Sequence, residues 1–501
     1  MPECRRESFN SCRVVGLINR LREIVTHTAV YGVGTVLNSI LGLVLVPLYT
    51  RQFAPDVFGI LSLLTLAGTL AGAVFYLGVS SALARSYYDY EDPEERATVV
   101  STSVLLTLLG AAAQMITGVL LAAPLSRWLL GSADYAPHLL VAFGGSAATF
   151  VSQLFYVVLR FQRRSVMVVA INIGGLLLTF VAILWLLHQN GPDVMAPLLG
   201  TLIGQAAMAV ALAWACRKTL PFAISRREIG IQLRFGAPTV LVALAYYLLT
   251  GIDRFALSQF ASLTDVGVYS LGSRVGVAIH MLFIMPFAQI WTPMRMQYRR
   301  DADAPRLFSR VLTYYFVAGM LLTVLICAFA REIVQIVAGR PEYQGAYIVV
   351  PFIALSHLFY GGVNVIDNGI LFSRRIHLHA MAFAGAAVLN ALLNFWLVPH
   401  YGYLGAAAAA LCSYLALIAV VAYVSNRLEP LHPEGGRLTA VFVSGIATIV
   451  ITSLVPTVGV TSAAGKLMMV VMLMTGWYAL LLTHGERANL RRLVSRRFEA
   501  A

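Results

Sequence analysis

Arg274 lies in Tyr269-Ser-Leu-Gly-Ser-Arg274-Val-Gly-Val, inside an apolar stretch that runs from 264 to 292. About ten residues of helix at 1.5 Å each put it roughly 15 Å from the start of that stretch, near the middle of a bilayer. A cation there costs at least ~2.5–3.5 kcal/mol on insertion scales, so it needs a water-filled cavity or an acidic partner. One chemistry that fits is a phosphate clamp. The alternatives are a buried salt bridge with Asp253 or Asp367, or snorkelling to the interface. Four further arginines come in pairs. Arg85 and Arg295 stand 210 residues apart at matched span ends, where two cations flanking a cavity mouth would attract an anionic headgroup. Ordinary flanking charge explains them as well. Arg51 and Arg254 are the corresponding pair at the opposite face.

Other polar residues interrupt the apolar stretches. Asn38, Asn364, Asp367 and Asn368 are placed to line a path or to bridge helices. His280 and His357 titrate near neutrality and can pass protons. A lone membrane histidine more often makes a helix–helix hydrogen bond. Asp253, Asp367, His280 and His357 are thus the candidates for ion coupling or salt bridging.

These residues sit on a scaffold that repeats. Gln52-Phe53-Ala54 with Gly59 returns as Gln259-Phe260-Ala261 with Gly267, Tyr135 returns as Tyr343, and Phe161-x-Arg163-Arg164 returns as Phe372-x-Arg374-Arg375. The offsets are 207 for Phe53 to Phe260, 208 for Gly59 to Gly267 and 211 for Arg163 to Arg374. Two copies of one membrane unit is transporter architecture, with the substrate path expected between the halves. The offset of 208 places Leu66 opposite Arg274, so the midplane cation is not part of the duplicated scaffold.

Apolar residues make up 59% of the chain and charged residues 12%, with a mean hydropathy of +0.78, which marks an integral membrane protein. Stretches long enough to span occur at 28–50, 57–82, 97–123, 136–159, 166–188, 194–215, 235–256, 264–292, 308–330, 344–371, 377–398, 402–424, 438–457 and 463–483. The expectation is an all-α polytopic protein of about 14 transmembrane helices. It divides into a basic cytoplasmic segment (1–27), a six-helix bundle (28–216), a cytoplasmic linker (217–234), a pseudo-symmetric second bundle (235–425), an extra helix pair (426–484) and a basic tail (485–501). Leu17, Ile18, Leu21 and Ile24 share one helical face, which suits either a segment lying on the membrane surface or a frayed tail. No secretory signal precedes the first span. Pro47, Pro238 and Pro286 are positioned to kink their spans.

The net charge of +13 follows from topology. With both termini inside, 29 of the 36 basic residues fall on the cytoplasmic side and 6, Lys466 among them, on the outer side. Nucleic acid is therefore not the expected partner. The five cysteines have neither metal-ligand spacing nor a disulfide pattern, and no cofactor or metal is expected. Short loops leave no room for a folded catalytic domain, and no Walker, His-Glu-x-x-His or Ser/His/Asp arrangement occurs. The acidic cluster Asp89, Glu91, Asp92, Glu94 and Glu95 reads as a solvated loop or a helix bridged to Arg96. The chain does not read as an enzyme.

Three motifs carry a family resemblance: Val46-Pro47-Leu-Tyr-Thr-Arg51-Gln-Phe-Ala-Pro-Asp56-Val-Phe-Gly59; Gly251-Ile-Asp253-Arg254-Phe-Ala-Leu-Ser-Gln-Phe running into Gly267-Val-Tyr269-Ser-Leu; and Asn390-Ala-Leu-Leu-Asn394-Phe-Trp-Leu-Val-Pro399-His-Tyr-Gly402-Tyr-Leu-Gly405-Ala-Ala. In order and spacing they resemble polysaccharide-type flippases of the multidrug/oligosaccharidyl-lipid/polysaccharide exporter superfamily. The resemblance implies two six-helix bundles that move an undecaprenyl-pyrophosphate-linked oligosaccharide across a bacterial inner membrane by alternating access. The headgroup would sit in a basic cavity and the polyprenyl tail in membrane lipid. It places a cavity cation at Arg274 alone; Arg85, Arg295, Arg51, Arg254 and Asn38 are candidate substrate contacts by their positions in the spans and the repeat. Coupling to H⁺ or Na⁺ and a glycan polymerase partner are compatible with it. Many such flippases have twelve spans, which leaves the last pair unassigned. The rivals are a drug/cation antiporter of the same superfamily, a non-transporting scaffold of a glycan assembly complex, and a membrane polymerase.

Overall fold

The computed structural model describes residues 44–162, 164–217, 223–299, 301, 303–373, 375–455 and 460–480. Among them every regular element is a helix. Among the described residues, eleven helices are long and apolar enough to cross a membrane. The chain is helical over 44–52 (α1). Then come α2 (Pro55–Phe75), α3 (Val79–Ser86), α4 (Pro93–Leu130), α5 (Ala136–Phe161), α6 (Ser165–Asn190) and α7 (Met195–Cys216). They are followed by α8 (Arg226–Phe260), α9 (Leu263–Gly276), α10 (Met285–Tyr298), α11 (Ala304–Ala328), α12 (Ala330–Val337) and α13 (Ala346–Ile366). The last are α14 (Asn368–Phe372), α15 (Ile376–Leu428), α16 (Gly435–Ser453) and α17 (Val460–Leu480).

Most expected spans coincide with these helices, and the departures have local causes. The stretch 57–82 is two helices, because Leu77 (φ 54°) and Gly78 (φ 62°) turn left-handed between α2 and α3. A Cβ at Gly78 would lie 2.6 Å from the Gly236 carbonyl, so α8 approaches where the chain breaks. The stretch 264–292 is interrupted by a π-turn at His280–Ile284, in which the Met285 amide donates to the His280 carbonyl. Pro286 follows at once; its missing N–H and its clash with the carbonyl four residues back explain why the α ladder yields here. At 53 residues α15 would extend about 80 Å if straight, far beyond a ~30 Å hydrocarbon core. Gly402 (φ 53°, ψ −134°) splits it into two crossings, where the sequence placed the boundary between 398 and 402.

Two compact units emerge, Met1–Leu45 with Ile60–Leu244, and Val46–Gly59 with Ala245–Ala501. Their limits differ from the expected bundles. Over the later part of the expected linker the chain is already helical, since α8 is continuous from Arg226 and is fastened to α4. Ser103 Oγ donates to Gln232 Oε1 at 2.9 Å and Gln232 Nε2 donates to the Val99 carbonyl at 3.3 Å. Tyr90 donates its hydroxyl to Glu228 Oε1 at 2.5 Å. Within the acidic cluster, Asp92 caps α4, and Arg96 donates to the Tyr90 carbonyl at 2.7 Å. In the first unit α5 and α6 each pack along α7, and α4 packs along α5.

The second unit is built on α9, α11, α13 and α15. The expected extra pair belongs to it: α16 packs on α11, and Phe442 stacks on Phe359 with centroids 5.3 Å apart. Trp477 donates to Ser444 at 2.8 Å, holding α17 to α16. Lys466, expected on the outer side, is buried and bound to Glu332 at 2.6 Å.

The two repeat glycines meet in this unit. A Cβ on Gly59 would lie 2.3 Å from the Leu263 carbonyl, and one on Gly267 would lie 1.8 Å from the Pro55 carbonyl. The starts of α2 and α9 thus cross backbone to backbone, which only glycine permits. Gly267→Ala is expected to force them apart at a cost of about 1–3 kcal/mol, the usual range for overpacking. A lowered Tm of the purified protein in detergent checks this; an unchanged Tm would mean the crossing relaxes freely.

Candidate substrate and ion-coupling site

Ser262 caps α9 by accepting the Asp265 amide at 3.0 Å. Arg274 lies seven residues after Gly267 and so projects from the same helical face, toward α1 and α2. Its guanidinium carbon sits 5.3 Å from the centroid of Phe58, and Tyr49 is near enough to interact with its charge. Among the described residues no hydrogen bond or ion pair engages it, and the side chain is only half-buried. The salt bridges to Asp253 or Asp367 are therefore not made. Arg254, on α8, is close enough to Arg274 for their charges to interact, and its buried Nε has no hydrogen-bond partner. Two guanidiniums with unused donors form a site that an oxyanion would satisfy.

Asp253, the neighbour of Arg254, is fully enclosed. Its Oδ2 accepts the Tyr269 hydroxyl at 2.5 Å, and its Oδ1 accepts the side-chain amides of Asn390 at 3.1 Å and Asn394 at 2.9 Å. Asn390 also donates to the Leu249 carbonyl at 3.0 Å, while Asn394 Oδ1 is buried without a partner. Asp253 is 3% exposed, whereas Arg274 is half-buried. Asn390 and Asn394, four apart in an apolar span, were the missed signal, since that spacing stacks two amides on one helical face.

Arg295 and Asp367 are joined. Arg295 Nη1 donates to Asp367 Oδ1 at 2.5 Å and to the Asn364 carbonyl at 2.9 Å, and His379 approaches Asp367 at 3.5 Å. Arg295 is thus a buried ion-pair member and not an open cation at a cavity mouth. Its repeat partner Arg85 is exposed, with its guanidinium 4.9 Å over the Phe235 ring. Arg51 is exposed beside Gly339, and Arg340 donates to the Arg51 and Gln52 carbonyls, closing the end of α1. His280 and His357, 77 residues apart in sequence, meet with ring centroids 5.5 Å apart. Asn38 lies outside the described residues, as do Arg163, Arg374 and both terminal segments.

A family model described as "Polysaccharide biosynthesis protein" matches residues 24–299. The probable low-salt glycan biosynthesis flippase Agl15 of Haloferax volcanii is 26% identical over 236 residues, 46% of this chain and 49% of that protein. The match thus spans about half the length of that curated relative. Among solved structures, lipid II flippase MurJ in an inward closed conformation superposes with a TM-score of 0.74 at 14% identity, over 90% of this chain and 99% of that one. An inward-facing multidrug resistance MATE family transporter of the MOP superfamily superposes with a TM-score of 0.63 at 16% identity, over 81% and 95%. At these identities the likeness is one of fold.

Proposed function

Because the chain belongs to the polysaccharide biosynthesis protein family, we propose that it is a flippase carrying an undecaprenyl-pyrophosphate-linked oligosaccharide from the cytoplasmic to the periplasmic leaflet. Its setting is a bacterial inner membrane with both termini cytoplasmic, and its mode is alternating access. The observation that carries this reading is Arg274, a cation inside a span with no acid bound to it, beside Arg254 with an unused Nε. Insertion of such a charge is costly, and a pyrophosphate supplies the missing counter-charge. Arg85 and Arg51, both exposed, are assigned to guide the headgroup. The polyprenyl tail stays in lipid, and a glycan polymerase would consume the delivered unit. The glycan relative named above supports a saccharide cargo.

Asp253 is assigned to ion coupling, with H⁺ or Na⁺ as the ion. Its three donors are all neutral, so its charge is balanced by no cation hydrogen-bonded to it. Asp253→Asn keeps the shape and removes the charge. It is expected to lower glycan translocation at least ~10-fold, equivalent to ~1.4 kcal/mol, at normal membrane abundance. Lectin labelling of the outer leaflet checks this, and unchanged labelling removes Asp253 from coupling.

The same carboxylate favours a second reading, a drug/cation antiporter, which would use a buried acid to exchange protons. Arg274 and Arg254 weigh against it, because they repel a cationic substrate. Deleting the gene and following lipid-linked glycan by lectin accessibility on each face separates the two. Accumulation on the cytoplasmic face supports flipping. Normal translocation with new drug sensitivity supports the antiporter, and loss of glycan polymer with normal translocation supports a scaffold.

A further inference from the structure

His280 and His357 are far apart in the chain and come together only through the fold. His280 opens the π-turn between α9 and α10, and His357 lies in the middle of α13. Their rings meet with an interplanar angle of 64°. The Nδ1 atom of each is buried and has no hydrogen-bond partner. A neutral imidazole has one donor and one acceptor nitrogen, so two orphaned nitrogens in one enclosure leave a vacant place for a hydrogen bond.

The walls of the enclosure are aromatic. Tyr360, one turn after His357, lies 5.7 Å from the His280 ring and 6.3 Å from the His357 ring. Tyr414 of α15 lies 6.0 Å from His357, and Tyr246 of α8 lies 5.9 Å from Tyr360. From α11, Tyr315 packs on Phe283 and donates its hydroxyl to the Leu358 carbonyl. Among the described residues, the only charge that bears on His357 is that of His280. The nearest acid in this network is Asp253, whose charge reaches Tyr414.

From this juxtaposition we infer that His280 and His357 form a single proton-binding site that couples translocation to the pH gradient. The inference rests on the flippase reading for its cargo; the site is separate from the arginines and from Asp253, to which it leaves Na⁺ as the coupled ion. One proton from water adds to a free imidazole nitrogen and returns to water on release; only an N–H bond forms and breaks. The pair holds one proton and not two, because a second cation so close to the first binds at least ~100-fold more weakly. The tyrosine ring faces stabilise the imidazolium. The π-turn gives the proton mechanical purchase: converting it to α register would rotate His280 by about 100° and separate the pair.

Two measurements test the site on the full-length protein. Purified protein labelled with ¹⁵N-histidine is titrated by NMR from pH 5 to 9. A single shared proton step for the two rings is expected, lost in either His280→Gln or His357→Gln. Two independent titrations, or none, would overturn the inference whatever the cargo. In cells, outer-leaflet glycan is followed with and without a protonophore. Wild-type translocation is expected to fall at least ~10-fold when the gradient collapses, and the double variant, at normal abundance, to lose that dependence. Wild-type translocation that ignores the gradient, or a double variant that keeps the wild-type dependence, overturns the coupling. A wild-type protein that translocates no glycan but retains the shared titration instead overturns the flippase reading.

Discussion

Arg274→Ala is expected to abolish outer-leaflet glycan while leaving membrane abundance at the wild-type level. Losing one partner of a desolvated charge pair costs about 2–5 kcal/mol, or roughly 30- to 5,000-fold in affinity. The pyrophosphate would lose that much. The protein itself loses little, because among the described residues the guanidinium makes no hydrogen bond or ion pair and packs on the Phe58 ring, a contact of order 0.5–2 kcal/mol. Removing the charge from a span also recovers ~2.5–3.5 kcal/mol of insertion cost, so folding is unaffected or improved. Arg274→Lys keeps the charge but not the fork of donors and should fall between the two. Immunoblotting of membranes beside lectin labelling of cells separates transport from abundance. Full export by the alanine variant at normal expression would remove the phosphate clamp, and loss of the protein from the membrane would show that Arg274 is structural after all.

Span positions were legible because hydropathy is a local property, the boundary beside Gly402 among them, although the positive φ of that glycine was not read. The repeat glycines were legible as a repeat, although their meeting at Pro55 and Leu263 was not. What stayed hidden depends on partners distant in sequence. The donors to Asp253 come from Tyr269, Asn390 and Asn394, and no local pattern ties residue 253 to residue 390. Breaks inside spans were also missed. Leu77 is a poor residue for a left-handed turn, and the π-turn at His280–Ile284 is a response to Pro286 two residues downstream.

The repeat misled at one point, and the reason is chemical. Arg85 and Arg295 are matched in position, yet one is exposed and the other closed on an acid. At the same offset of 210 the counterpart of Asp367 is Val157, so Arg85 has no carboxylate to bind at that place. Duplicated backbones copy where a side chain starts, and the environment then decides what it does.

Arg295→Ala is accordingly expected to act on stability. It would strand Asp367, 4% exposed, with His379 as its remaining ion-pair partner, at 3.5 Å. Breaking a buried pair from one side costs about 3–5 kcal/mol, because the desolvated charge that remains has no compensation. That is a large share of the ~5–15 kcal/mol that holds a typical domain folded, so most of the variant should be lost from the membrane and the remainder should melt early in detergent. Asp367→Leu alone should do the same by stranding Arg295, whose Nε already lacks a partner. The double variant Arg295→Met with Asp367→Leu replaces both charges by apolar groups, and such replacements are often neutral or stabilising. It should therefore recover the abundance that each single variant loses. Recovered abundance with recovered glycan export makes the pair structural. Recovered abundance without export would return Arg295 to the headgroup path proposed from the sequence, with the ion pair as its resting state.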